Sequence, residues 1–177
     1  AVQIGDPITQ KKMIDMILEA RDAGLIQVIT DNGAGGLSSS VGEMAELTNG
    51  ADLDLSVVPL KQAGLSPWEI LVSESQERMT VGVRPADCEA FEALANLHEV
   101  EATIVGTFTN SGAFVVRMGE KHIAHLPISF LHEGCPQLQL ESEWTPPEHS
   151  EIILPQADAE EKGEILARLL ARPNVAS

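Results

Sequence analysis

Hydrophobic and polar positions change period several times along the chain, and each change marks an element. Met13, Ile14, Ile17 and Leu18 recur at helical spacing behind Asp6-Pro7, a cap followed by a first-turn proline, and Gly24 ends the run. Leu25 to Ile29 is a short apolar run with Gln27 inside it, and Leu25 to Thr30 is predicted as a buried strand. After Gly33, Gly35 and Gly36 the period becomes helical again from about Leu37 to Thr48, with Val41, Met44, Ala45 and Thr48 in register and a stop at Asn49-Gly50. Leu53, Leu55 and Val57 alternate as in a half-buried strand. Ser66-Pro67-Trp68-Glu69 has the form of a capping box and opens a short helix carrying Ile70 and Leu71.

Alternation returns at Met79, Val81 and Val83, and Pro85 then opens a helix with Cys88, Phe91, Leu94 and Ala95 facing inward. Three strands follow closely, Ala102 to Phe108, Ala113 to Met118 and His122 to Leu126, separated by Asn110-Ser111-Gly112 and Gly119-Glu120-Lys121. Helix and strand alternate at first, and an antiparallel meander is expected afterwards. The fold class is therefore α/β with α+β character, a mixed sheet with helices packed on it. One domain is expected over residues 1–140. Residues 141–177 read as a proline-rich, acidic linker with a short helix from about Ala157 to Ala171, whose Ile165, Leu166, Leu169 and Leu170 need a partner, leading towards a downstream domain.

Charge narrows the functional classes. Twenty-seven acidic against 11 basic side chains give a net charge of −16, which argues against nonspecific binding to nucleic acid or to an anionic membrane. Anionic small molecules remain compatible, because backbone N–H groups, a metal and a few cations reverse the field locally; Arg78, Arg84 and Arg117 are the candidates. The two cysteines, Cys88 and Cys135, form neither a disulfide framework nor a zinc pattern, and Cys88 is expected in the core. No apolar run reaches the roughly 18 residues of a membrane span, and the first residues lack a secretory pattern, so a cytoplasmic location is expected. The start at Ala1-Val2-Gln3, close to a helix, suggests a fragment or a processed chain.

Thr30-Asp31-Asn32-Gly33-Ala34-Gly35-Gly36-Leu37 is the densest candidate for chemistry. A strand ending in a carboxylate, a glycine turn and a helix start place free N–H groups and a positive dipole end beside Asp31. That suits a phosphate held with Mg²⁺, to which one carboxylate contributes a single ligand. The turn equally fits a purely structural strand-to-helix connection capped by Asp31, and its spacing matches neither the P-loop nor the dinucleotide fingerprint. Glu74-Ser75-Gln76-Glu77-Arg78 forms a second polar cluster at an element junction, either a ligand contact or a solvated turn. His122 and His125 differ by an odd number within one strand, so they are expected on opposite faces and not as a shared ligand pair. They and His132 read as structural or exposed histidines, and no residues are assigned as catalytic.

The two clusters together, with Val2-Gln3-Ile4-Gly5-Asp6-Pro7 and His132-Glu133-Gly134-Cys135-Pro136, resemble phosphoribosylformylglycinamidine synthase over most of Gln3 to Pro136. The likeness is to the first carboxy-terminal-type domain of its synthetase subunit, in the small multi-subunit form, a superfamily shared with aminoimidazole ribonucleotide synthetase and selenophosphate synthetase. The resemblance implies a ligase of purine biosynthesis that uses ATP, Mg²⁺ and glutamine-derived ammonia to convert formylglycinamide ribonucleotide to its amidine. It implies that Asp31 ligates Mg²⁺ and that Gln3, Glu74, Ser75 and Gln76 contact substrate. Partners implied are a glutaminase subunit, a small accessory subunit and the remaining domains of the same polypeptide, without which the chain is expected to be inactive. The alternative is a noncatalytic binding or assembly module of a related superfamily member.

Overall fold

The computed structural model describes residues 6–148 and 158–172. Residues up to Gln137 form one compact unit and those from Leu138 another. In the first unit, helix α1 (Pro7–Asp22) begins at Asp6, whose carboxylate accepts from the Ile8 N–H at 3.2 Å and from the Thr9 hydroxyl at 2.8 Å. It ends where Leu25 N–H reaches back to the Ala20 carbonyl and Gly24 N–H to that of Arg21, a turn that Gly24 makes at φ +72°. Its covered face holds Met13, Met16, Ile17 and Ala20, whereas Ile14 and Leu18 lie outside at 45% and 43% exposure. The stripe expected from the sequence is thus rotated, because Met16 and Ala20 extend the packed face away from Ile14 and Leu18.

Strand β1 (Ile26–Asp31) pairs antiparallel with β3 (Met79–Val83) in a two-stranded ribbon, with Asp31 opposite Met79 at one end. The main sheet has four strands: β2 (Ala51–Asp54), β4 (Gly106–Phe108), β5 (Ala113–Met118) and β6 (Lys121–Pro127). Its order is β4-β2-β5-β6, with β2 parallel to β5 and the other pairs antiparallel. The expected meander is therefore interrupted: β2 inserts between β4 and β5, and the sheet is mixed. Helix α2 (Gly36–Glu46) lays Leu37, Val41 and Ala45 into a core shared with Leu53, Leu55, Ile70, Phe114 and Val116. Helix α3 (Pro67–Leu71) supplies Ile70 to that core, and Glu69 accepts from the Ser66 N–H at 2.8 Å at its start. Helix α4 (Cys88–Leu97) buries Ala95 fully and Phe91 and Leu94 in part, against α1. Cys88 is only half-buried, as it sits at the helix start with its thiol towards the Arg84 carbonyl.

Two strands are shorter than their apolar patterns predict. Asp54 accepts from both the N–H and the hydroxyl of Ser56, which curls Leu55–Val57 into a single 3-10 turn and leaves Val57 47% exposed. Residues 101–105 form no ladder of their own, and only Val105 meets β2, its carbonyl accepting the Asp54 N–H at 2.8 Å. Helix α5 (Ile128–Glu133) was not expected; Ile128 anchors it in the core and Leu131 meets Gly42 of α2. The second unit contains α6 (Ala159–Leu170), capped by Asp158 and exposing Ile165, Leu166, Leu169 and Leu170.

A charged network fastens the sheet end beyond Asp54. The Arg117 guanidinium donates to Asp52 at 2.6 Å, to Asp54 at 3.5 Å and to the Gly119 carbonyl at 2.9 Å, and Gly119 N–H returns to Asp54 at 3.0 Å. Hydrogen bonds from the Ser56 hydroxyl, then from the Gly119 and Ser56 N–H groups, hold the Asp54 pKa down at about 2. A lowered carboxylate pKa contributes stability that is fully present above the unfolded value and is lost as pH falls towards the folded one. The thermal midpoint of Asp54→Asn is expected below wild type at neutral pH, with the difference shrinking between about pH 5 and about pH 2. A difference that stays constant across that range would show that Asp54 is not the titrating group.

Candidate functional site

The ribbon end that carries Asp31 also carries the polar cluster before β3. Inward and outward positions alternate along β1, so Thr30 and Asn32 turn towards the interior and Asp31 is exposed. Gly33 N–H donates to Asp31 Oδ1 at 2.8 Å, closing an Asx-type turn, while Oδ2 accepts no hydrogen bond from the described residues. The chain then passes through Gly35 and Gly36 into α2, both with positive φ, at +82° and +54°. Gly36 is the tightest point of the turn. A Cβ placed there would lie 2.2 Å from the Ser73 carbonyl oxygen, so only glycine lets the two loops touch backbone to backbone.

Glu74 reinforces that contact by accepting the Gly35 N–H at 3.3 Å. The loop is also braced from within. Arg78 donates to the carbonyls of Ser73 and Ser75, Gln76 Nε2 donates to the Glu74 carbonyl at 3.4 Å, and the Ser73 and Ser75 hydroxyls lie 3.0 Å apart. Burial lowers the Arg78 pKa, since a half-covered guanidinium loses water that favours its charge. Glu74 and Ser75 are half-buried and Gln76 is exposed, so the three side chains remain available at the surface of a fixed loop.

Behind the turn lies a polar trio, two of its members buried, that the sequence reading missed. Asn32 Oδ1 accepts from the Ser40 hydroxyl at 2.6 Å and from the Thr80 hydroxyl at 2.9 Å, with Asn32 and Ser40 only 7% and 1% exposed. It joins the end of β1 to α2 and β3. The strand alternation already placed Asn32 on the inward parity, and that was the available signal.

The structure thus brings Asp31, Glu74, Ser75 and Gln76 to one end of the ribbon. Gln3 lies outside the described residues. Arg84 and Arg117, considered as anion-binding cations, are instead paired with Asp87 and with Asp52 and Asp54. The parity argument for His122 and His125 does not hold, because the β5–β6 register skips Ile123; both histidines are exposed. His132 contacts the Gly42 carbonyl at 3.2 Å and Glu46 at 3.8 Å, a structural position.

Among the described residues no three His, Cys, Asp or Glu side chains converge as a complete metal cage. One carboxylate with an unengaged oxygen fits Mg²⁺, which commonly takes one or two carboxylates and completes its shell with phosphate oxygens and water. No helix among the described residues is long and apolar enough to cross a membrane.

Residues 1–119 match the family described as AIR synthase related protein, C-terminal domain. The chain is 38% identical over 177 residues to the phosphoribosylformylglycinamidine synthase subunit PurL of Methanopyrus kandleri, covering 99% of this chain and 24% of that protein. Among solved structures, Thermotoga maritima PurL complexed with FGAR aligns with a TM-score of 0.77 at 30% identity, over 94% of this chain and 27% of the other. The ATP complex of the same protein gives 0.76 at 32%, over 92% and 28%. The PurLQS structure from that organism gives 0.74 at 29%, again over 92% and 28%. The chain therefore spans about a quarter of the length of the relatives it matches, and with the family's signature covering most of its residues it belongs to the AIR synthase related proteins, as their C-terminal domain.

Proposed function

We propose that this chain is the substrate-side domain of a phosphoribosylformylglycinamidine synthase, an ATP-dependent ligase that converts formylglycinamide ribonucleotide to its amidine with glutamine-derived ammonia. The observation that carries the reading is the contact of the Gly36 and Ser73 backbones, which makes the Asp31 turn and the Glu74–Gln76 loop a single surface. In this reading Glu74, Ser75 and Gln76 orient the substrate, and Gln3 adds a contact from the segment preceding α1. Asp31 would hold Mg²⁺ as one ligand, and the ion would supply positive charge to the phosphoryl group in transfer. The chain's own contribution is orientation: a braced loop holds the reacting amide in place at little entropic cost during the reaction.

The likeness to PurL complexed with FGAR and with ATP, and to PurLQS, supports the substrate, the nucleotide and a multi-subunit assembly in which a glutaminase and a small subunit are partners. The remaining domains of the polypeptide would provide the nucleotide site and the rest of the metal shell. A cytoplasmic location fits this role. The noncatalytic alternative predicts no response to substrate.

Three outcomes are expected. In the complete synthetase, formylglycinamide ribonucleotide raises the thermal midpoint, and Gln76→Ala weakens its binding about tenfold or more, some 1.4 kcal/mol; protection that survives the substitution unchanged would remove Gln76 from the substrate site, and no protection of the wild type would favour the assembly role. Asp31→Asn raises the Mg²⁺ concentration needed for half-maximal turnover about tenfold, and an unaltered metal titration would refute ligation. The 177-residue chain alone produces no amidine from ATP, ammonia and substrate, and measurable turnover by it would sink the assignment of the missing parts.

A further inference from the structure

The geometry points to Glu77 as a positioning residue that ties the chain entering α1 to the loop 73–76, an inference that rests on reading that loop as substrate-facing. Glu77 adopts φ +55°, a left-handed conformation that non-glycine residues rarely hold. It stands where the loop turns into β3, two residues before Met79. Its carboxylate accepts the Asp6 N–H through Oε1 at 2.9 Å, across 71 positions of sequence. Asp6 in turn caps α1, so the bond attaches the loop to a helix terminus fixed by its own hydrogen bonds.

The second oxygen of this carboxylate, Oε2, is buried and has no hydrogen-bond partner among the described residues. One buried carboxylate oxygen without a partner among the described residues is an unfavourable way to fill a turn, and Asp6 adds a second acid at the same helix start. Local turn formation requires neither the acid nor the strained backbone, for which glycine or asparagine would serve. The tie to Asp6 is what remains to be explained. Together with Gly36 against Ser73 and Arg78 on the carbonyls of Ser73 and Ser75, it pins the loop at both ends and leaves Glu74, Ser75 and Gln76 as the side chains between the pins. Asp6 follows Gln3 by three residues, so the bond joins the segment bearing one candidate substrate contact to the loop bearing three.

Glu77→Gly and Glu77→Gln in the complete synthetase separate positioning from folding. Glycine accepts φ +55° freely but lacks the acceptor, whereas glutamine keeps a carbonyl oxygen able to receive the Asp6 N–H. Glu77→Gly is expected to raise KM for formylglycinamide ribonucleotide about tenfold while KM for ATP stays within about twofold and the thermal midpoint is retained; Glu77→Gln restores KM to near wild type. A wild-type substrate KM in Glu77→Gly overturns the inference, as does a parallel rise in both KM values with a lowered midpoint, which marks a general structural role. Wild-type enzyme that shows no affinity for formylglycinamide ribonucleotide overturns the functional reading itself, and this is measured before either variant.

Discussion

The contact of Gly36 with the Ser73 backbone is the constraint on which the candidate site depends. The two polar loops belong to different connections, one between β1 and α2 and the other between α3 and β3, and the ribbon that unites them has two strands among the described residues. A two-stranded ribbon is marginal by itself, so its loops need an external reference. Gly36 supplies one because it is also the first residue of α2, whose Leu37, Val41 and Ala45 are set in the main core. Position is thereby transmitted from the four-stranded sheet through α2 to the loop bearing Glu74, with Asn32, Ser40 and Thr80 adding a polar weld beneath it. Any side chain at residue 36 would force the carbonyl of Ser73 away and open that path.

The acidic surplus is handled residue by residue. Asp6, Asp54, Glu69 and Glu99 each have lowered pKa values, led in every case by a side-chain hydrogen bond, from Thr9, Ser56, Ser66 and Lys12 respectively. These carboxylates terminate helices, shape turns or pair across elements, and their charge is matched by local donors. Asp31, like Glu69 and Glu99, is engaged at one oxygen by the described residues; what sets it apart is its place at the ribbon end beside the Glu74 loop.

Much of this was legible in the chain itself. Asp6-Pro7, Gly24, Asn49-Gly50 and the Ser66 to Glu69 box mark helix ends through chemistry that acts within a few residues, and these boundaries stand in the structure. Strand order was not legible, because β2 between β4 and β5 is a choice made by core packing over long separations. Apolar alternation at Leu53, Leu55 and Val57 concealed the turn that Asp54 imposes, and Ile123 as an extra residue in β6 defeated the counting used for the histidines. In the site, Asp31 and the Glu74 to Gln76 loop were readable as clusters, yet their adjacency was not, since it resides in a backbone contact. Glu77 looked like one more polar residue in a run until its bond to Asp6, 71 positions away, came into view.

The distribution of cations limits what this surface can do unaided. Arg117 is committed to Asp52 and Asp54, Arg84 to Asp87, and Arg78 to two loop carbonyls, so none of the three candidates faces an anion freely. What the surface offers is one half-engaged carboxylate, a hydroxyl, an amide and a second carboxylate held by Gly35. Such a set orients a polar ligand well but counters little of the charge on a phosphoryl group, particularly in a chain of net charge −16. In the proposed ligase, neutralising charge would come from a metal and from basic groups contributed elsewhere. A wall that positions without neutralising is what the proposed reading asks of a chain that spans a quarter of its relatives' length.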